Sequence, residues 1–421
     1  MSSFRFIHAA DIHLDSPLKG LTRHEGAAAE RIRSATRAAF DGLISEAIEQ
    51  QVAFVVIAGD LYDGSWKDVH TGLFFSHQMG RLAQAGIRAF VLHGNHDAES
   101  QITRRLQLPD CVKVFSHRKA ETFVLEDLKV ALHGQSFPQP AVTENLVPGY
   151  PEPRAGYFNI GVLHTALGGM GEHENYAPCG LDELVAKGYP YWALGHVHQG
   201  QVLHEHPHVV FPGNLQGRHI RETGAKGAYL VTVEGGEVAG LATLHTDVVR
   251  WSRLSVPVEA CRSVDEVLES IRGALQGVAA TEADGRLLAC RVDLTGRTSL
   301  HGALWGATEQ LRAEAQAAAL GLGEEVAWIE KVVIETTPVS VSGEADPENA
   351  LGVLRGLLAE ASRDPDLLAQ LGAKLGEFAR KLPADLRQDV EDPALKAALE
   401  GDYGAVVERT RDELLSRLEG A

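Results

Sequence analysis

Residues Tyr191 to His198 read YWALGHVH, an apolar run that stops at Gly195 and delivers two histidines, His196 and His198. If the backbone stays extended through Val197, both imidazoles project to one side and serve one site from a single loop. Taken alone, a His-x-His pair is more often solvated or hydrogen-bonded than metal-bound. Its weight depends on whether the same arrangement recurs upstream.

It recurs five times. Phe4 to Ala10 runs into Asp11, Ala53 to Ala58 into Gly59 and Asp60, and Ala89 to Leu92 into Gly94, Asn95, His96 and Asp97. Val130 to Leu132 runs into His133, and Asn159 to Leu163 into His164. Each reads as a buried strand followed at once by a polar loop. Between them, Ala27 to Gln51 places Ile32, Ala35, Ala39, Leu43, Ala47 and Ile48 on one helical face, and Val69 to Ala85 does so with Leu73, Phe74, His77 and Leu82. Strands alternating with helices predict an α/β body.

From about Val209 the strands become closely spaced: Val209 to Phe211, Ala228 to Glu234 and Val238 to Thr246. Antiparallel pairing then joins the α/β pattern, which predicts a two-sheet β-sandwich core flanked by helices. After Asp247 the order is strand (Arg253 to Val258), helix (Val264 to Leu275), strand (Leu287 to Leu294), helix (Ala303 to Leu320), strand (Val326 to Glu335), a small α+β domain. A turn-rich linker, Thr337 to Asn349, precedes a helical tail broken by Pro365, Pro383 and Pro393, with an apolar stripe at Leu351, Leu354, Leu357 and Leu358. The expected division is residues 1–246, 247–337 and 338–421. Two irregular loops, Phe137 to Tyr157 with five prolines and Leu167 to Gly180 with His173 and Glu174, are expected at the rim of the site or on the surface.

At 421 residues the chain is too long for one ordinary core. No segment approaches the roughly 20 apolar residues a membrane span needs, and the first residues carry no signal-peptide core, so a cytoplasmic protein with no membrane partner is expected. The four cysteines are widely spaced without C-x-x-C, the pattern of reduced thiols. The formal net charge of -18 counts against a nucleic-acid partner, which is held largely by Lys and Arg. The acidity is not confined to the tail, where Val341 to Ala421 holds 10 basic and 17 acidic residues. Metal ions in a site can supply local positive charge that the composition lacks.

The strand ends together offer Asp11 and His13, Asp60, Asn95 and His96, His164, and His196 with His198. Mixed oxygen and nitrogen donors suit Mn, Fe or Zn, whereas an oxygen-only cage suits Ca or Mg. So many donors are better divided between two ions, whose chemistry on a phosphoryl group is phosphoester hydrolysis.

The stretches HAADIHLDSPL, AGDLYD, LHGNHD, LGHVHQ and PGNLQGRHIRE, in this order, resemble the calcineurin-like metallophosphoesterases, and within them the SbcD-like DNA repair exonucleases of the YhaO type. The resemblance covers about the first 245 residues. It implies the metallophosphoesterase fold and two divalent ions, with Mn2+ the expected metal. Asp11, His13 and His198 would hold the first ion, Asp60 would bridge, and Asn95, His164 and His196 would complete the second. His96 would act on the transition state or the leaving group, with Asp97 positioning it. Asp63 stands where other relatives tend to carry a second active-site histidine and is expected to support Asp60 or the metals. His8, His93 and His133 have no role in the pattern and are expected to be packed or hydrogen-bonded. Arg218, His219 and Arg221 would face substrate phosphate, or form an exposed basic turn.

The resemblance further implies DNA as substrate, an SbcC-like coiled-coil ATPase docking on the tail from Ala350 onward, and a homodimer. Two other readings stay open: a phosphodiesterase or phosphatase of a small molecule or protein, and a structural subunit regulating an ATPase.

Overall fold

The computed structural model describes residues 3–16, 27–63, 69–99, 108–168, 176–323, 325–339, 350–382, 390 and 393–419. His173 and Glu174 of the glycine-rich loop, most of the 337–349 linker and Pro383 lie outside the described residues, as does the side chain of Leu351. The chain divides into two compact units. The first comprises Met1–Ser252, Ala279–Cys290 and Gly323–Trp328, and the second Arg253–Val278, Arg291–Leu322 and Ile329–Ala421.

Two six-stranded sheets build the first unit. One runs β12 (Glu237–His245), β11 (Gly227–Glu234), β1 (Phe4–Ala9), β2 (Phe54–Ala58), β3 (Arg88–Leu92), β4 (Val112–Val114). The other runs β5 (Glu121–Leu125), β6 (Val130–Gly134), β7 (Phe158–His164), β8 (Tyr191–Gly195), β10 (His208–Phe211), β9 (Gln201–Glu205). In the first, β1 to β4 are parallel and β11 and β12 antiparallel; in the second, β6, β7, β8 and β10 are parallel, with antiparallel edges β5 and β9.

The two-residue side-chain period sorts each strand into layers. Phe6, Phe54, Val56, Phe90, Ile160, Val162, Tyr191 and Ala193 pack into the core between the sheets. Their neighbours Ile7, Val55, Ile57, Ala89 and Val91 face outward, beneath Phe40, Leu43 and Ile44 of α1 (Ala27–Glu49) and Phe75, Met79 and Leu82 of α2 (Val69–Gln84). On the far side Trp192, Leu194 and Phe211 pack with Tyr150, Leu184 and Tyr189. Strands covered on both faces are apolar at every position, which is why the central ones read as continuous runs. The expected sandwich is the observed one.

Three readings shift. The buried face of α2 carries Phe75, Met79 and Leu82, while Leu73 is 56% exposed and His77 is exposed, so the helix is turned from the expected stripe. The proline-rich loop is not a bare surface connection: Phe137, Val142, Val147 and Tyr150 are buried, and Tyr150 Oη donates to Val162 O at 2.6 Å. The helix expected over Ala303 to Leu320 is two, α6 (His301–Gly306) and α7 (Thr308–Leu322), after α3 (Asn95–Glu99), α4 (Leu181–Ala186) and α5 (Val264–Glu282).

A three-stranded sheet orders β13 (Val249–Pro257), β14 (Leu287–Thr298) and β15 (Ala327–Pro338), with α5 to α7 completing the expected β-α-β-α-β sequence. The tail forms α8 (Ala350–Ala361), α9 (Pro365–Lys381), α10 (Pro393–Glu400) and α11 (Tyr403–Glu419). Pro365 opens α9 behind Asp364, whose carboxylate caps Asp366 N and Leu367 N; proline fits a first turn because its missing N–H has no partner there anyway. Within the second unit α11 packs on α6, α8, α9 and α10. No helix among the described residues is long and apolar enough to cross a membrane.

Candidate metal centre

The parallel strands end side by side, so the loops that follow them converge. Asp11 N donates to Gly59 O at 3.0 Å, His13 N to Asp60 O at 3.0 Å and Leu14 N to Leu61 O at 2.9 Å, which zips the loops after β1 and β2 together. The Asp11 carboxylate accepts from His196 N at 3.1 and 3.0 Å, tying the first sheet to the loop after β8. Extended backbone ends at Gly195, and His196 has φ 101°, so His196 and His198 do not project from one continuous strand. Asp11, His13 and Asp60 also have positive φ, at 51°, 46° and 53°. Each such residue costs about 1–3 kcal/mol and persists only where its surroundings hold it. Gly94 and Gly195 let the loops close in, because a Cβ on Gly94 would overlap Asp60 Oδ1 and one on Gly195 the Ala58 carbonyl oxygen.

Two donor clusters result. Asp11, His13 and His198 form one and Asp60, His164 and His196 the other, with the donor atoms of each set within 4.8 Å of one another. Asp60 belongs to both neighbourhoods, its Oδ2 lying 3.4 Å from His164 Nε2 and 3.9 Å from His13 Nε2. Asn95 Oδ1 meets His164 Nε2 at 2.9 Å. All seven residues expected as ligands are therefore brought together.

The proton inventory shows that a cation fits. His164 Nδ1 stands 3.0 Å from the Ala58 carbonyl, which only accepts, so Nδ1 carries the proton. Nε2 then faces two further acceptors, Asn95 Oδ1 and Asp60 Oδ2, so it needs either a second proton or a cation between them. Likewise His198 Nδ1 donates to Glu222 Oε1 at 2.7 Å, leaving Nε2 to face His13 Nε2 at 3.2 Å and Asp11 Oδ1 at 3.8 Å. Two nitrogens bound to one ion at about 2.1 Å would sit roughly 3–3.4 Å apart. Converging acceptors without donors are what a divalent ion satisfies.

The electrostatics split the groups. Burial raises Asp11 to about 6 against the pull of His198 and His164. Burial also opposes ionisation of Asp60, but His164, His96 and His13 outweigh it and hold the carboxyl well below its ordinary range. Burial lowers His13 to about 3, helped by the Arg218 charge and resisted by Asp63. For His164 the cost of burial is overcome by Asp60 and Asp11, which raise it to about 9, so without an ion the proton on Nε2 occupies the place a divalent ion would take.

His96 lies at the edge of this centre, in a third donor group with His13 and Asp60. Its backbone N donates to Asp60 Oδ1 at 3.0 Å, and its Nδ1 is 3.1 Å from Asp63 Oδ1. Burial lowers it, but Asp63 and Asp60 raise it to about 9. Asp97 has a different task from the one expected. Its carboxylate accepts from Leu61 N, Tyr62 N and Gly94 N at 3.1, 2.9 and 3.0 Å, so it fixes the loops around Asp60 and Asn95, while Asp63 meets the His96 ring.

Of the basic turn, Arg218 is half-buried beside the first cluster, its guanidinium reaching Ser16 Oγ at 3.3 Å and Glu222 Oε1 at 3.3 Å, with Nε lacking a partner among the described residues. His219 Nε2 is 3.6 Å from Glu222 Oε1 on a 44% exposed side chain, and Arg221 is exposed. Glu222 is the residue the sequence reading passed over: buried, it also accepts from Arg218 N at 2.7 Å and Asn214 Nδ2 at 3.0 Å. The signal was a carboxylate at the end of PGNLQGRHIRE, hidden among its basic neighbours. Lys226 Nζ adds a bond to His198 O at 3.1 Å.

His8, His133 and His93 behave as packing residues. His8 Nε2 donates to Leu194 O at 3.0 Å and Nδ1 accepts from Tyr191 Oη at 3.0 Å, and burial lowers its pKa to about 3. His133 is held by Thr122 and Asn159. Burial lowers His93.

Comparison with known proteins agrees with this geometry. The profile of the calcineurin-like phosphoesterases matches residues 4–200, and that of the metallophosphoesterase YhaO middle domain matches residues 251–337. The uncharacterized metallophosphoesterase YhaO of Bacillus subtilis (strain 168) is 37% identical over 275 residues, 64% of this chain and 67% of that protein. The chain belongs to the calcineurin-like phosphoesterases. Members of this family typically bind two divalent metal ions, in keeping with the two donor clusters. This phosphoesterase is also similar, at 27% identity over 285 residues, to the DNA double-strand break repair protein Mre11 of Methanopyrus kandleri, covering 59% of this chain and 58% of that protein. The protein of the same name from Sulfurisphaera tokodaii is 26% identical over 211 residues, 48% of this chain and 51% of its own length. The chain thus spans little more than half the length of the two Mre11 proteins.

Proposed function

We propose that the chain is a dinuclear-metal-dependent phosphodiester hydrolase acting on DNA, an exonuclease or endonuclease of DNA repair, with Mn2+ as its ion. The observation that carries the reading is Asp60, a buried carboxylate set between His13 and His164 so that one residue reaches both donor clusters. Asp11, His13 and His198 would hold one ion, and Asn95, His164 and His196 the other. Two bound ions supply Lewis-acid charge for the phosphoryl oxygens and lower the pKa of the attacking water.

The chain's own residues do the rest. His96, raised to about 9, holds a proton at neutral pH for the leaving oxygen, and a positioned general acid contributes typically 10²–10⁴-fold. Glu222 keeps the proton of His198 on Nδ1, so Nε2 is the ligating nitrogen. Arg218 brings a half-buried positive charge beside the first cluster, where a phosphate oxygen would be met. DNA as substrate is supported by the similarity to proteins named for double-strand break repair. The formal charge of -18 supports the second reading, a phosphodiesterase or phosphatase of a small molecule or protein.

Partnership with an SbcC-like coiled-coil ATPase is proposed for the tail. Val353, Leu357, Phe378 and Leu414 are exposed there, and α9 buries none of its residues. A cytoplasmic site of action and a homodimer are part of the same proposal. Purified protein with Mn2+ is to be assayed on duplex DNA, single-stranded DNA and bis(p-nitrophenyl) phosphate, beside His96→Ala and Asp60→Ala. Mn2+-dependent cleavage of DNA lost in both variants is expected. Activity on the generic ester alone would move the assignment to the second reading, and activity on nothing would favour a structural subunit of an ATPase complex.

A further inference from the structure

At the end of the second sheet opposite the metal centre, the chain turns from β9 into β10 through His204, Glu205, His206, Pro207 and His208. β10 runs parallel to β8, and His208 is the register partner of Tyr191, the first residue of β8, whereas His196 and His198 follow its last, Gly195. The length of that strand, roughly 13 Å, separates the hairpin turn from the metal centre.

The alternation of the strands decides which donors share a face. Val209 packs on the far side of the sheet and Val210 between the sheets, so His208 lies on the inner side, where its ring stacks on Tyr191 with centroids 6.3 Å apart. Glu205 is its partner across the hairpin, which puts the two Cβ atoms on one face about 4.5–5.5 Å apart. His204 is paired with Val209 on the other face, and its Nδ1 donates to Pro207 O at 2.7 Å. The rings of His206 and His208 stand 5.6 Å apart, centroid to centroid, and cross at 89°. The histidine pairs of the two donor clusters stand in nearly the same relation, His13 and His198 at 5.1 Å and 71°, His164 and His196 at 5.2 Å and 70°. Two imidazoles that each bind one ion at about 2.0–2.1 Å come to about this spacing. Among the described residues the side chains of Glu205, His206 and His208 make no hydrogen bond, and Glu205 and His206 are exposed. Burial lowers the His208 pKa, with His206 adding to the effect and Glu205 opposing it, so the ring is neutral at pH 7 and keeps a nitrogen lone pair to give.

We propose that Glu205, His206 and His208 form a further metal site, separate from the dinuclear centre, which takes a Zn2+ ion and clips β9 to β10. Two imidazoles and a carboxylate are a donor set that suits zinc, with a fourth position left to water. The donors converge less tightly than those of the dinuclear centre, and a turn of the exposed Glu205 and His206 side chains closes them on the ion. β9 is an edge strand that buries none of its residues, so a clip at its turn acts where packing contributes least.

The test uses the full chain without an affinity tag, stripped by a chelator and titrated calorimetrically with Zn2+, beside His206→Gln, His208→Gln and Glu205→Gln. At saturation His206→Gln and His208→Gln are each expected to bind one Zn2+ fewer than the parent, and Glu205→Gln to hold the same ion more weakly. All these chains carry the same dinuclear residues, so the difference stands whether or not that centre loads and whether or not the chain is a phosphoesterase. Because His206 is exposed, His206→Gln should unfold in urea at the parent's midpoint without Zn2+ and at a lower one with it. Long-range 1H–15N spectra should show the His206 and His208 signals moving with Zn2+ in Asp60→Ala as in the parent. Equal Zn2+ content in the parent, His206→Gln and His208→Gln, or ring signals that Zn2+ leaves in place, would overturn the proposal.

Discussion

Glu222 Oε1 accepts the proton of His198 Nδ1 at 2.7 Å, and this one bond decides which nitrogen His198 turns toward Asp11 and His13. Partners of this kind fix the tautomer of a ligating histidine, and their loss typically costs 10–100-fold in metal affinity. Glu222→Ala is therefore expected to weaken one of two Mn2+ sites by that factor, read by isothermal titration, with Glu222→Gln in between. Equal affinities in Glu222→Ala and the parent chain would remove Glu222 from the site.

His196 and His198 belong to different clusters although one residue separates them. His198→Ala and Glu222→Ala should affect the same ion, so their double variant binds no less Mn2+ than His198→Ala alone. His196→Ala combined with Glu222→Ala should lose both. Identical metal content in the two double variants would contradict the division.

His8 ties acid stability to the sandwich core. Its folded pKa is about 3 against an unfolded value near 6.5, so below pH 6.5 the unfolded chain takes up a proton that the folded chain refuses. The stability this group confers is complete above pH 6.5 and is lost as pH falls toward 3. By pH 4 the loss is roughly 3 kcal/mol. Urea unfolding of metal-free protein at pH 7 and pH 4 should show it, and His8→Gln should flatten that part of the slope. An unchanged slope in His8→Gln would place the titration elsewhere.

Gly161 of β7 lies under the indole of Trp192, its register partner on β8, and a Cβ there would overlap the ring. Gly161→Ala should destabilise by about 1–3 kcal/mol, the usual result of overpacking. Gly42 of α1 meets nothing within 4 Å, and Gly42→Ala should instead stabilise by up to about 1 kcal/mol. Urea midpoints moving in opposite directions are the expected result; equal shifts would mean that the core around Trp192 yields.

The strands that carry the candidate donors were legible because burial on both faces leaves no room for a polar residue until the strand ends. Val55 and Val56 face different cores, yet both are buried, so the run to Asp60 is unbroken in the sequence. Two of the edge strands gave no such signal. β5 and β9 are half exposed along most of their length, and Glu121 or His204 interrupts any apolar pattern. The candidate donors could be read from strand ends alone, but the groups that hold them could not. Glu222 and Asp63 act through single bonds to His198 and His96, and Asp97 through backbone N–H groups of two other loops, relationships of distance that no spacing along the chain encodes.

The account stands on two ions acting together around Asp60. Metal-free chain titrated with Mn2+, with bound ions and bis(p-nitrophenyl) phosphate hydrolysis followed in the same samples, tests this most directly. Hydrolysis should appear only as the second ion fills, and should stay absent in Asp60→Ala at any Mn2+ concentration. Full activity at one ion per chain, or in Asp60→Ala, would contradict it.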